Sequence, residues 1–193
     1  AVFSFLAQKF IKQTGKKVLI VAHREELINQ TATTLRTIGV TVETVIAQKK
    51  SLNHLSQAYV AMIQTLSKRL QKDDNFLKDV GLIICDEAQA LKNRLSQRRR
   101  AIKSLKSEAK VLVTGTPIEN SLKDLWSLSD IVYPGLLGTY GSFESLIDDN
   151  PLDAKKLGKL ASPLLLRREV KEVAQDLPPL VIIDEVLNPT SNF

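Results

Sequence analysis

Four short apolar runs divide this 193-residue chain: Lys17–Ala22, Ala58–Ile63, Leu82–Cys85 and Ala109–Val113. Each is too short to make a stable helix alone and too uniformly apolar for a strand with one wet face. Strands buried on both faces belong to parallel sheets, and parallel neighbours need crossover connections, usually helices. The segments between the runs supply them. Residues 2–13 place Val2, Phe5, Leu6, Phe10 and Ile11 at helical spacing and stop at Gly15; residues 24–38 do the same with Leu27, Ile28, Leu35 and Ile38 and stop at Gly39. Residues 64–71 and 94–105 read as two further helices, and 40–47 alternate as a fifth strand should. The expected fold is α/β, a mostly parallel sheet with helices on both faces.

Beyond Ser121 the pattern changes. Leu125, Trp126, Leu128 and Ile131 mark a helix, 134–141 reads as a loop, and 142–149 and 152–160 are helical. Pro178-Pro179 then break the chain before an apolar stretch at 180–187.

Composition narrows the function classes. With 44% hydrophobic and 25% charged residues the chain is globular, and 27 Lys and Arg against 21 Asp and Glu give a net charge of +6, which favours a polyanionic partner. Cys85, the single cysteine, has no disulfide partner within the chain; in an apolar strand it reads as a small buried residue in a reducing compartment. His23 and His54 are too few for a metal cluster. No uncharged stretch is long enough to cross a bilayer and no signal peptide is visible, so no membrane association is expected. The first residues, Ala-Val-Phe, lack an initiating Met, which suggests a fragment or a processed chain.

Two segments carry chemistry. The third run ends in Asp86-Glu87, and ligands of parallel sheets bind just beyond the carboxyl ends of the strands. One carboxylate there can hold Mg²⁺ and the other can orient or deprotonate a water; equally, the pair can cap the helix that follows. Directly after the fourth run comes Thr114-Gly115-Thr116-Pro117-Ile118-Glu119-Asn120, a tight turn with hydroxyls facing the same sheet edge, or simply a lead into the next helix with Asn120 or Ser121 as its cap.

The order of these elements, from the segment 18–27 through Ile63-Gln64-Thr65-Leu66, Asp86-Glu87-Ala88-Gln89 with Lys92-Asn93, and 114–120, resembles helicase superfamily two. The run Thr114 to Leu128 containing Leu125-Trp126, followed by Pro134-Gly135-Leu136-Leu137-Gly138, is similar to the Swi/Snf-type DNA-dependent ATPases. So is Pro163-Leu164-Leu165-Leu166-Arg167-Arg168 with Lys171-Glu172-Val173 and Leu177-Pro178-Pro179. The resemblance implies a RecA-like motor lobe over 1–132, a small helical protrusion over 133–162, and a return to the core that starts the inter-lobe linker over 163–193. It implies ATP and Mg²⁺ as cofactors, with Asp86 binding the metal through its water shell, Glu87 polarising the attacking water and Gln89 coupling the nucleotide site to the lobe interface. Thr114, Gly115 and Thr116 relay nucleotide state to the DNA track, and His23, Arg24, Gln64 and Thr65 touch the phosphodiester backbone. The implied partners are double-stranded DNA and a second motor lobe of the same polypeptide. The implied compartment is the nucleoid of a prokaryote's cytoplasm or the nucleus of a eukaryote.

Each assignment has a plainer counterpart: His23, Arg24 and Glu25 can start a helix, Thr65 can cap 64–71, and Gln89 can be a solvated helix residue. Gln97-Arg98-Arg99-Arg100 with Lys103 and Lys106 puts 99, 103 and 106 on one helical face, read first as a solvated basic face and second as a DNA-backbone patch. Arg167 and Arg168 either pair with Glu169 or Asp176 at the lobe junction or face DNA. No Gly-x-x-x-x-Gly-Lys segment with Ser or Thr after it occurs; Gly15-Lys16-Lys17 follows a helix and precedes a strand, the reverse of the required context. The chain is therefore expected to begin just past such a loop and to end before the second lobe, and to hydrolyse ATP negligibly by itself. Two competing readings remain: a restriction or excision-repair motor of the same superfamily, suggested by Ala22-His23-Arg24-Glu25-Glu26-Leu27, and a non-catalytic DNA-binding scaffold.

Overall fold

A computed structural model of the chain describes residues 2–49, 51–73, 76–119, 121–149 and 151–166. Asn120, Arg167, Arg168, Glu169, Asp176, the Pro178-Pro179 break, the stretch 180–187 and most of the 163–193 segment lie outside the described residues.

Five strands, β1 (Lys17–Ala22), β2 (Val42–Val45), β3 (Ala58–Met62), β4 (Val80–Cys85) and β5 (Ala109–Leu112), form one sheet in the order β2-β3-β1-β4-β5. All neighbours are parallel. Alternate side chains divide between two cores, as a sheet covered on both faces requires. Val18, Ile20, Val60 and Ile84 pack with Ala7 and Ile11 of α1 (Val2–Thr14) and with Ile28 and Leu35 of α2 (Glu25–Thr37). Leu19, Val21, Tyr59 and Ile83 pack on the other face with Leu66 and Leu70 of α3 (Ile63–Leu70), Ile102 of α4 (Gln97–Ser104), and Leu128 and Ile131 of α5 (Leu122–Val132). Cys85 is buried in that second core, and its burial pushes the thiol up to about 12.

Several boundaries differ from the sequence expectation, each for a local reason. Strand β2 covers only 42–45 of the expected 40–47, because Thr41 pairs with Gln57 through both backbone and side chain before the regular ladder begins. Strand β4 starts at Val80 rather than Leu82 and takes in Gly81, where a Cβ would lie 2.9 Å from the Lys16 Cβ and 3.0 Å from the Phe10 ring. Helix α4 covers 97–104 of the expected 94–105: the Asn93 side chain accepts from the Leu95 amide and Ser96 caps the Arg99 amide at 3.2 Å, so the helix cannot start earlier. Helix α3 begins at Ile63, which places Thr65 inside its first turn rather than at its cap.

The basic face expected on α4 is the largest correction. Arg99 is buried and donates to Asp130 Oδ2 of α5 at 2.5 Å, Lys103 reaches the same oxygen at 2.7 Å, and the Arg99 guanidinium lies 5.7 Å from the Trp126 ring centroid. Lys106 lies beyond the helix end. Neither a solvated stripe nor a DNA patch runs along 99, 103 and 106; two of the three cations tie α4 to α5.

Helix α5 also belongs to a third, smaller core. Its Leu125 and Trp126 pack with Leu137, with Phe143 of α6 (Tyr140–Asp149) and with Ala161 of α7 (Pro151–Ala161). The indole Nε1 donates to Gly138 O at 3.1 Å and meets the Tyr140 ring edge-on, with centroids 5.2 Å apart. Helix α6 starts two residues ahead of the expected 142. No helix of the described residues is long and apolar enough to cross a membrane.

Burial works to raise the Asp130 pKa, but the hydrogen bonds and charges of Lys103 and Arg99 outweigh it and hold the carboxyl below its ordinary range. A depressed folded-state pKa gives stability that is complete above the unfolded value of about 3.9 and is lost as pH falls through the folded one. Asp130→Asn is therefore expected to destabilise the chain by about 3 kcal/mol at pH 7, by leaving Arg99 buried without its anion. It should also flatten the acid limb below about pH 4. Urea unfolding as a function of pH measures both.

Candidate functional site

The sheet order places a topological switch between β1 and β4: the connection after β1 runs to the β2 side and the connection after β4 to the β5 side. Crevices at such points, outside the carboxyl ends of the strands, are the usual ligand sites of open α/β sheets. Asp86 and Glu87 emerge from β4 there, and His23 emerges from β1 beside them. A shallow cleft is lined by Val21, Ala22, His23, Ile63, Asp86 and Glu87 together with Ala90 and Leu91.

Main-chain bonds beyond the strand ends fix the carboxylates. The Asp86 amide donates to Val21 O at 2.8 Å, the Val113 amide to Cys85 O at 2.8 Å, and the Ala88 amide returns to Val113 O at 2.9 Å. Between two residues pinned to opposite neighbours, Glu87 has to reverse the backbone. It does so at φ 52, ψ 48, a left-handed conformation that costs a residue with a Cβ about 1 kcal/mol. A 3₁₀ turn, Ala88–Leu91, follows in place of the α-helix that the capping alternative needs; the Glu87 side chain makes no cap bond, and Asp86 Oδ1 accepts from the Glu87 amide at 3.1 Å.

The same turn grips the loop after β5. Thr114 Oγ1 donates to Gln89 Oε1 at 3.1 Å, so Gln89 is half-buried and bonded rather than solvated. One residue past the turn, Lys92 pairs with Glu119 at 3.0 Å and with Asp124 of α5 at 3.4 Å, its side chain 9% exposed. Within the loop the Thr116 amide donates to Thr114 Oγ1 and its hydroxyl to Glu119 Oε1 at 3.4 Å, while the Glu119 amide donates to Asp124 Oδ2. The loop 114–119 is thus held near both ends by the segment that follows Asp86-Glu87. The sequence marked Lys92 as part of a motif, but its partners lie 27 and 32 positions away and no local pattern points to them.

The remaining candidates lie along the same edge. His23 Nδ1 and Gln64 Nε2 are 3.2 Å apart, joining the ends of β1 and β3. Arg24 is exposed at the N-cap of α2, with Glu25 and Glu26 in its first turn, and Thr65 is half-buried one residue past Gln64. Gly115 and Thr116 are exposed.

The donor set suits one kind of metal. Among the described residues no three His, Cys, Asp or Glu side chains gather closely enough to hold an ion by themselves. Mg²⁺ bound to nucleotide needs no such cage, because it keeps several waters and takes one or two carboxylates plus phosphate oxygens. Asp86 fits that role.

Residues 8–190 match the SNF2-related domain. The chain belongs to the SNF2-related family. Protein CHROMATIN REMODELING 24 of Arabidopsis thaliana is 30% identical over 90% of this chain and 19% of its own length. The uncharacterized ATP-dependent helicase MG018 of Mycoplasma genitalium is 40% identical over 55% of this chain and 11% of its own, and Zorya protein ZorD of Escherichia coli is 38% identical over 54% and 10%. The solved Sulfolobus solfataricus SWI2/SNF2 ATPase core in complex with double-stranded DNA superposes with a TM-score of 0.74 at 27% identity, covering 90% of this chain and 38% of that one. The SNF2-related chain described here thus spans a fifth or less of these curated relatives, and its fold is the RecA-like one of a SWI2/SNF2 core lobe.

Two outcomes are expected. Glu87→Gly should be more stable than Glu87→Ala by about 1 kcal/mol in urea, since only glycine relieves the left-handed backbone. Lys92→Met should speed amide exchange across 114–119 while β4 and β5 keep their protection; unchanged exchange in hydrogen–deuterium mass spectrometry would show that the Lys92 pairs do not hold the loop.

Proposed function

We propose that this chain forms most of the first motor lobe of a Swi/Snf-type ATP-dependent translocase on double-stranded DNA, a remodeller of DNA–protein complexes. The reading rests above all on one arrangement: two carboxylates at the switch point, with the turn behind them bonded through Gln89 and Lys92 to the loop 114–119. Residues 1–132 act as the lobe, 133–162 as its helical protrusion and 163–193 as the return toward a second lobe.

In this reading Asp86 holds Mg²⁺ through water, and Glu87, fixed by its neighbours' main-chain bonds, orients the attacking water and accepts its proton. A bound Mg²⁺ supplies neutralisation of charge on the transferred phosphoryl group. Gln89 senses the state of that centre and passes it to Thr114, whose loop leads into α5. His23, Arg24, Gln64 and Thr65 face the phosphodiester backbone, close enough to the carboxylate cleft for DNA and nucleotide to influence each other. The likeness to a core solved on double-stranded DNA and the net charge of +6 support that partner. A nucleoid or nuclear location follows from it.

The test is DNA-stimulated ATP turnover by the full-length protein that carries this chain. Glu87→Gln is expected to lower it by about 10²-fold or more while duplex binding persists. The 193-residue polypeptide alone, which has no Gly-x-x-x-x-Gly-Lys segment, is expected to show no measurable turnover. A full-length protein that binds DNA without hydrolysing ATP would favour the scaffold reading instead.

A further inference from the structure

Helix α6 is fastened to the rest of the chain from two directions. From α5, the Trp126 indole donates to Gly138 O just ahead of the helix, and Lys123 Nζ donates to Glu144 Oε1 at 2.5 Å. From the segment between the 3₁₀ turn and α4, the Arg94 guanidinium lies over the Tyr140 ring, its Cζ 3.5 Å from the centroid. The same ring meets the Trp126 indole edge-on, and its hydroxyl donates to Glu144 Oε1 at 3.3 Å. Among the described residues no carboxylate lies within ion-pair distance of Arg94. A ring, not an acid, holds this exposed cation.

The two fastenings differ in where they start. Lys123 and Trp126 belong to α5, whose Leu128 and Ile131 are packed into the core under the sheet. Arg94 belongs to the segment that leaves the carboxylates. It stands just past Lys92 in a compact turn, where the Ser96 amide donates to Asn93 O at 3.1 Å and the Leu95 amide to Asn93 Oδ1 at 3.0 Å. A turn bonded twice to itself moves as a unit, so a displacement of the 88–91 turn carries Arg94 with it. A guanidinium stacked on a ring at an exposed site is weakly enough held to break and re-form thermally, which gives the contact two states between which a ligand can choose. We propose that Arg94, through its stack on Tyr140, couples occupancy of the carboxylate cleft to the seating of α6. Resting on the motor-lobe reading above, the coupling makes Arg94 and Tyr140 positioning residues for the helical protrusion. Nucleotide held through Asp86 steadies the turn, the turn keeps Arg94 on the ring, and α6 closes onto the lobe. Such coupling is reciprocal, so whatever pins α6 also raises affinity for nucleotide.

The test is hydrogen–deuterium exchange of the full-length protein that carries this chain, with and without Mg²⁺ and a non-hydrolysable ATP analogue. In wild type, the analogue should slow exchange in 86–92 and also in α6, there by about two- to fivefold, the most that a stack of this kind can deliver. Arg94→Ala should keep the slowing in 86–92 and lose it in α6, which stays folded on its α5 contacts. Tyr140→Phe, which keeps the ring and drops the hydroxyl, should respond as wild type, and Tyr140→Leu should respond as Arg94→Ala. If Arg94→Ala raises α6 exchange by the same factor in both states, so that the slowing survives, the contact is structural only and the coupling is overturned. It is overturned equally if wild type slows in 86–92 but not in α6, and the motor reading then stands. No slowing in 86–92 at saturating analogue would take nucleotide out of the cleft, and the motor reading would fall together with the coupling.

Discussion

The hydrogen bonds that continue past the regular end of β4 are the constraint on which the rest of this molecule depends. Val21 on one neighbour and Val113 on the other take the amides of Asp86 and Ala88, so two parallel partners dictate where the backbone goes between them. Glu87 absorbs the mismatch as a left-handed residue, and the following turn is thereby aimed at the loop after β5. Move either neighbour and the carboxylates, the Gln89–Thr114 bond and the Lys92 pairs move with it.

Those neighbours stay put because β1 and β4 are buried on both faces, with α1 and α2 on one side and α3, α4 and α5 on the other. The Arg99–Asp130–Lys103 cluster performs a related task for the second layer. A buried ion pair contributes little net stability over a well-packed apolar one, but it penalises any other register of α4 against α5. Register matters here because Asp124, at the start of α5, receives Lys92 from the turn behind the carboxylates.

The sheet was legible in the sequence because strands buried on both faces are written as continuous apolar runs, and the helices between them because their apolar spacing is regular. What escaped was set by contacts distant in sequence. Gly81 reads as a breaker unless Phe10 is known to lie over it. Arg99 reads as part of a solvated run unless Asp130, 31 positions on, is known to face it. At the site, Asp86 and Glu87 could be picked out from a strand end followed by carboxylates, whereas the bonding of Gln89 to Thr114 needed the parallel pairing of Cys85 with Leu112 to bring two loops side by side. The left-handed backbone at Glu87 has no local signal at all, since nothing about Glu predicts it.

Cys85 lies one residue before this whole arrangement, and its surroundings have a practical side. Only the thiolate reacts with alkylating or oxidising reagents, and a thiol 1% exposed and pushed to about 12 is almost wholly protonated at neutral pH. The native sulfur is therefore silent to maleimide chemistry in the folded state. A fluorophore or spin label can be placed at a single introduced surface cysteine without first removing it, and any labelling of Cys85 itself reports that β4 has left the sheet.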